Sequence, residues 1–409
     1  MKLLIVSPFV DPEAVGEPRW CYDLAKGLSE RIDSVIIAQT PMKCPASIAE
    51  LFPHATVHET PGWRLRWMDQ RMRQLLKPGY IPYYRFASRV IREHYPPGSV
   101  DCAHHFGPLA LRYPTPLRNS GIPYVMGPLG GSLSLPPGFD EPGRKDPWYY
   151  KLRELDGWRF RHDPMLRGSY GNAACLVGIG DYVRDLLGDL EPRRFTTFTE
   201  TTAPAPRTDI DARIATRGAR DGQVRFLIVS RQIFSKGIHL ALRAAASAAG
   251  RLPDWRLDIL GEGSYRPELQ ALAQSLGLGE RVVFHGHVPR DTVDDFYDRA
   301  DVFLFPSIRE PSGVVMFEAM GWGLPMIVAD YGGPAVHVDP SFGLRIPVET
   351  QDGFVHAMAD GMVDLARAPE RRREMGTAAL RFVRERYSMD AMVDFYLDLY
   401  RAISHSPAE

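Results

Sequence analysis

Short runs of aliphatic and β-branched residues alternate with stretches whose apolar positions return every three or four residues, and the alternation continues almost from end to end. The runs predict strands and the stretches predict helices, in the order that builds parallel strands joined by crossover helices. In the first half the strand candidates are KLLIVS, SVIIAQ, DCAHH, IPYVM and ACLVGI, with helices over Trp20–Arg31, Tyr84–Tyr95 and Pro164–Tyr170. Residues 41–82 carry no clear period. In the second half the strands are RFLIVS, RLDIL, VVFHG, VFLF and PMIVA. Helices between them begin near Ile238, bury Leu269, Leu272, Ala273 and Leu276 on one face, and bury Val293, Phe296, Tyr297 and Ala300 on another. The fold class predicted is α/β, with two doubly wound Rossmann-like domains.

Between the halves, a turn-rich run of low hydrophobicity reads as a linker. The expected organisation is a first domain over 1–200, a linker over 201–222, a second domain over 223–385 and a terminal helical segment over 386–409, where Met392, Phe395, Leu397 and Tyr400 recur at helical spacing.

Composition narrows the function classes. The chain has 409 residues, of which 44% are hydrophobic and 24% charged, and a net charge of -1, so no global field draws it to nucleic acid. Its four cysteines, Cys21, Cys44, Cys102 and Cys175, form no Cys-x-x-Cys pair, which argues against a zinc site or a disulfide framework. No metal site is expected. The opening MKLLIVSPFVDPE is too short an apolar run for a signal core, so a cytoplasmic location is expected.

In open α/β sheets, ligands lie off the carboxyl ends of the strands, so the residues just after each strand carry the candidate chemistry. After the second-half strands stand Arg231, Lys236 and Gly237; Gly261, Glu262 and Gly263; His287 and Val288; and the stretch SIREPSGVVMFEAMGWG from Ser307. Arg231 and Lys236 before a helix make an anion clamp, although each alone has the ordinary reading of a surface or ion-paired cation. Pro311 disfavours helix at Glu310 and Gly313 frees the backbone, so a helix is expected to start near Ser312 and to carry Glu318 about two turns in. The amides of Gly313, Val314 and Val315 would then face an anion, while Glu310 and Glu318 accept from hydroxyls on either side. A nucleotide diphosphate sugar offers that sequence of groups.

Glu310, seven residues and Glu318, followed by AMGWGLPMIVADYGG, resembles the signature of retaining glycosyltransferases of family 4, whose GT-B fold sets two Rossmann-like domains facing across a cleft, with a C-terminal helix returning to the first domain. VSRQIFSKG, LDILGEGSYRPEL and VVFHGHVP resemble further segments of that family in the same order, and SPFVDPEAVGEPRW resembles its first glycine loop. The resemblance implies that Arg231 and Lys236 hold the diphosphate, Glu310 the transferred sugar and Glu318 the ribose. It implies that Val288 meets the base through its backbone, that Gly16 lets the first loop approach the diphosphate, and that His104 or His105 faces the reacting sugar. The activity implied is transfer from a nucleotide-sugar donor to a hydroxyl acceptor, in polysaccharide, glycolipid or glycoconjugate synthesis, without metal or other cofactor. Ser230, Ser312 and Val336 depart from the family's usual residues.

Neighbours on a strand point to opposite faces, so only one of His104 and His105 is expected in the site, with His105 favoured. Gly127, Gly130 and Gly131 read either as a ligand loop or as plain turn residues. Trp63, Arg64, Arg66, Trp67, Arg71, Arg73, Leu75, Leu76, Lys77, Tyr80, Arg85, Arg89 and Arg92 mix basic and apolar groups, suited to an anionic membrane surface or a lipid-linked acceptor, or to an ordinary solvated helix face. Peripheral association with the inner face of a membrane is the corresponding expectation. A sugar-nucleotide epimerase, a phosphorylase or a non-catalytic nucleotide-sugar binder are the alternatives.

Overall fold

The computed structural model describes residues 1–14, 16–40, 46–62, 77–131, 133–140, 154–202, 209–217 and 222–404. The chain divides into two compact units, one of Met1–Ser132, Lys145–Thr201 and Met389–Glu409, the other of Leu133–Arg144 and Thr202–Ser388.

The first unit holds seven parallel strands: β1 (Lys2–Ser7), β2 (Asp33–Gln39), β3 (Thr56–Thr60), β4 (Cys102–His105), β5 (Tyr124–Leu129), β6 (Cys175–Gly178) and β7 (Phe195–Thr197). Their spatial order, β3-β2-β1-β4-β5-β6-β7, reverses direction between β1 and β4. The central strand β1 is apolar without alternation because both of its faces are covered: Leu3 and Ile5 enter one buried cluster, Leu4 and Val6 the other. Strands β3 and β7 lack that continuous apolar signal; their residues are exposed or half-buried, which is why periodicity passes them over.

Helix α1 (Glu17–Ser29) follows β1 and buries Trp20, Cys21, Leu24 and Leu28. Helix α2 (Tyr80–His94) precedes β4, buries Tyr80, Tyr83, Ala87, Val90 and Ile91, and leaves Arg85, Arg89 and Arg92 exposed. It starts four residues before the expected Tyr84, since Tyr80 and Tyr83 are already on the inner face. The helix Met389–Ser404 belongs to the same unit and lies along α1, where a Cβ on Gly27 would come within 2.7 Å of Val393. Arg31 pairs with Asp390 and Asp394 at 2.7 and 2.5 Å along that seam.

The second unit has six parallel strands: β8 (Val224–Val229), β9 (Trp255–Leu260), β10 (Val282–Gly286), β11 (Val302–Phe305), β12 (Met326–Ala329) and β13 (Gly343–Ile346), in the order β10-β9-β8-β11-β12-β13. Here the reversal falls between β8 and β11. Helices α3 (Ile238–Ala248), α4 (Arg290–Arg299) and α5 (Val314–Gly321) follow β8, β10 and β11. The stretch read as a linker departs from expectation, because Ile210–Thr216 is helical and belongs to the second unit. Two apolar residues four apart suffice there: Ile210 and Ile214 are buried, and Ile214 packs where a Cβ on Gly323 would stand 2.2 Å away. Among the described residues no helix is long and apolar enough to cross a membrane.

His104 fixes the Met389–Ser404 helix chemically as well as by packing. Its Nε2 lies 3.0 Å from the Gly127 carbonyl, an acceptor only, so Nε2 carries the proton and the Tyr400 hydroxyl donates to Nδ1 at 2.6 Å. Both side chains are fully buried. Replacing Tyr400 with Phe strands that ring nitrogen, and a loss of about 1–3 kcal/mol of unfolding free energy is expected in urea titration.

Candidate active site

In the second unit the switch point between β8 and β11 sets the Ser230–Gly237 and Pro306–Gly313 loops side by side. Gly237 adopts φ 66°, and a Cβ there would stand 2.0 Å from the Pro306 carbonyl, so the first loop touches the second only because no side chain intervenes. Ile308 N–H donates to the Ser235 carbonyl at 3.1 Å and ties them together. Lys236, in the short 3-10 turn before α3, thereby meets Glu310, and the two form an ion pair with side chains only 12% and 13% exposed. Behind Glu310, Gly332 has φ 65° and its absent Cβ would lie 2.4 Å from the Glu310 carbonyl; Gly333 N–H donates to that carbonyl at 2.9 Å.

Helix α5 begins at Val314, with Gly313 as its left-handed cap at φ 82°, rather than near Ser312. The left-handed residue delays the first turn, so Glu318 is the fifth residue of α5 and sits just past one turn instead of two. The amides of Gly313, Val314 and Val315 stand at the open end of α5, where helix geometry supplies no intrahelical acceptors. Glu318 is held from two sides. Buried Tyr297 donates its hydroxyl to Oε2 at 2.9 Å, and Arg290 donates to Oε1 at 2.7 Å from a side chain 65% exposed. Burial holds the Tyr297 phenol well above its ordinary pKa, so it stays a donor.

Arg231 is exposed, and among the described residues its guanidinium makes no ion pair. Val288 is half-buried two residues before Arg290. Gly261 acts by position rather than as an open cradle: with φ 110°, its Cβ would fall 2.1 Å from the Ser230 carbonyl, and Gly263 approaches Gln232 as closely. Gln232, fully buried, donates from its amide nitrogen to the Glu262 carbonyl at 2.9 Å and from Nε2 to the Gly261 carbonyl at 2.5 Å. Glu262 is exposed and pairs with Arg266. No group of three or more His, Cys, Asp or Glu among the described residues is placed to hold a metal ion.

In the first unit, Gly16 caps α1 at φ 77° and a Cβ there would meet open space, so only the backbone angle demands glycine. Glu17 accepts from Leu109 N–H at 2.7 Å and pairs with Lys77 at 2.5 Å, which joins the loops after β1 and β4. Gly127 is a strand residue of β5 whose Cβ would lie 2.3 Å from the Val177 carbonyl, and Gly130 packs equally closely on Ile179, so close packing accounts for glycine at both. Trp63, Arg64, Arg66, Trp67, Arg71, Arg73, Leu75 and Leu76 lie outside the described residues.

His105 points away from the His104 side of the sheet and is 2% exposed. The Tyr80 hydroxyl gives its proton to the Pro114 carbonyl at 2.5 Å, so His105 Nε2, 3.5 Å from the Tyr80 hydroxyl oxygen, is the donor to it. Nδ1 is left as a bare buried acceptor without a hydrogen-bond partner among the described residues. Burial pushes both histidines down to about 3 from an ordinary 6.5, so both rings are neutral. The sign for stability follows: between those values the unfolded chain binds protons that the folded chain refuses. Stability is therefore fully present above pH 6.5 and falls as pH drops toward 3, with each ring adding a slope of about 1.4 kcal/mol per pH unit. Urea midpoints from pH 7 to 4 should fall on this slope, and less steeply in His104→Gln.

Sequence reading missed Arg290, Gln232, Glu17 and the Gly332–Gly333 turn as site builders, and placed Tyr297 only as a core position. The seven-residue step from Arg290 to Tyr297, two turns on one helix face, was the available signal.

The fold is of the GT-B type. The sucrose-phosphate synthase of Thermosynechococcus elongatus superposes with a TM-score of 0.65 at 19% identity, covering 98% of each chain, and HepE of Anabaena, solved with UDP, with a TM-score of 0.60 at 16% identity, covering 98% of this chain and 100% of that one. Residues 209–382 match the family described as Glycosyl transferases group 1. The lipopolysaccharide core biosynthesis glycosyltransferase LpsE of Rhizobium meliloti is 31% identical over 58% of this chain and 66% of its own length; a GDP-mannose-dependent phosphatidylinositol monomannoside mannosyltransferase of Mycolicibacterium smegmatis is 31% identical over 42% and 47%. The chain thus spans about half the length of the curated relatives it matches. Its second half is thus similar to glycosyltransferases of that family.

Proposed function

We propose that the protein transfers a sugar, with retention of anomeric configuration, from a nucleotide diphosphate sugar to a hydroxyl acceptor. The observation that carries this reading is the order of groups along one end of the second sheet: the Lys236–Glu310 pair, the open amides of Gly313–Val315, then Glu318. Cations and amide dipoles suit a diphosphate, and the flanking carboxylates suit hydroxyls of the sugar and the ribose. On this reading the pair must open when the donor binds, so that Lys236 passes from a carboxylate to the phosphate oxygens. Arg231, without an ion pair of its own among the described residues, adds to the charge that meets the leaving diphosphate. The bare Nδ1 of His105 suits a sugar hydroxyl in the same way. Relatives named for lipopolysaccharide core and phosphatidylinositol mannoside synthesis support a glycoconjugate acceptor.

Two measurements test the reading. A thermal-shift screen should show stabilisation by one nucleotide sugar and its nucleoside diphosphate, and release of that diphosphate should require an acceptor. Release of a modified donor without acceptor would instead mark an epimerase. Lys236→Ala and Glu310→Ala should each lower the rate of diphosphate release by about a hundredfold or more with folding retained; full activity in either variant overturns the proposal.

The exposed Arg85, Arg89 and Arg92 of α2 support an acceptor presented at an anionic surface. Vesicles rich in phosphatidylserine should sediment the protein at low salt and release it at high salt; protein left wholly in the supernatant removes the membrane from the proposal.

A further inference from the structure

Arg290 stands in an unfavourable place for a cation. It opens α4, at the helix end whose amides carry partial positive charge, and it is mostly solvent-exposed. What holds it is Glu318 Oε1 at 2.7 Å, through Nη1. Tyr297 approaches the same carboxylate from the buried side, and Arg290 from the open side. Any ligand hydroxyl arriving from solvent must use the side that Arg290 covers.

We infer that Arg290 is an internal competitor for the ribose: it neutralises Glu318 while the site is empty, yields Oε1 when a ribonucleotide enters, and reclaims it as the nucleotide leaves. This rests on the proposed nucleotide-sugar reading and adds the regulation of that site. A carboxylate only 13% exposed would be costly to leave unpaired between turnovers. The guanidinium covers that interval. Its return also speeds departure of the spent nucleoside diphosphate, because the broken ribose contact is replaced at once. Arg290 is here a positioning residue acting through Glu318, and it need not touch the reacting atoms.

The discriminating ligands are UDP, GDP and ADP against their 2′,3′-dideoxy counterparts, which have no ribose hydroxyls to compete with Arg290. Calorimetry first identifies the diphosphate that binds the unaltered protein. In Arg290→Gln, the ribonucleotide should bind about three- to tenfold more tightly and dissociate correspondingly more slowly, while the dideoxy form changes by less than about twofold. Arg290→Lys, with one ammonium in place of the guanidinium, should fall between. Gln and Lys both keep a hydrogen-bond donor for Oε1, and a single cooperative unfolding transition in each variant, read on the same samples, shows that the binding change belongs to a folded protein. Equal changes for both ligand forms, or weaker ribonucleotide binding in Arg290→Gln, overturn the inference while leaving the donor-site reading intact. No binding of any nucleoside diphosphate to the unaltered protein overturns both.

Discussion

A carboxylate withdrawn from water must have a partner, and in the second unit two of them are withdrawn together. Glu310 and Glu318 are each only 13% exposed, and each is met by a cation supplied from a different loop: Lys236 from the end of β8, Arg290 from the start of α4. Isolated burial of either charge would cost several kcal/mol. The fold therefore has to bring the ends of β8, β10 and β11 together, and the parallel sheet with its reversal between β8 and β11 does so.

The contacts that allow this approach are mostly absences of side chains. Gly237 against Pro306, Gly261 against Ser230, Gly263 against Gln232 and Gly332 against Glu310 each bring backbone to backbone at distances a Cβ forbids. These glycines let the loops close on one another. The polar groups are then few and closely matched, and in the empty state they satisfy one another. The two carboxylates are thus neutralised within the unit, each by a cation from another loop.

The first unit follows the same rule with less charge. Glu17 ties the loop after β4 to the start of α1 and holds Lys77, while the two histidines that end β4 part to opposite faces. His104 is absorbed into the packing of the Met389–Ser404 helix through Tyr400. His105 keeps one acceptor unanswered in a buried setting, a state that is uncommon and that a hydroxyl would relieve.

The central strands of both sheets, the helices beside them and the positions of Arg231, Lys236, Glu310 and Glu318 were legible from the chain alone, because buried parallel strands are written as continuous apolar runs and their carboxyl ends locate the site. Strands β3 and β7 were not, since half-exposed edge residues carry no such run. The helix Ile210–Thr216 escaped notice because its two buried isoleucines are recognisable only against the surface they dock on. Spacing left Gly127 between a ligand loop and a plain turn and placed Gly261 just after a strand; only the folded chain showed how closely each meets a neighbouring strand or loop. Which partners Glu310 and Glu318 take could not be read from spacing, because ion pairing between Lys236 and Glu310, or Arg290 and Glu318, is decided by strand order, and strand order is a property of the assembled sheet.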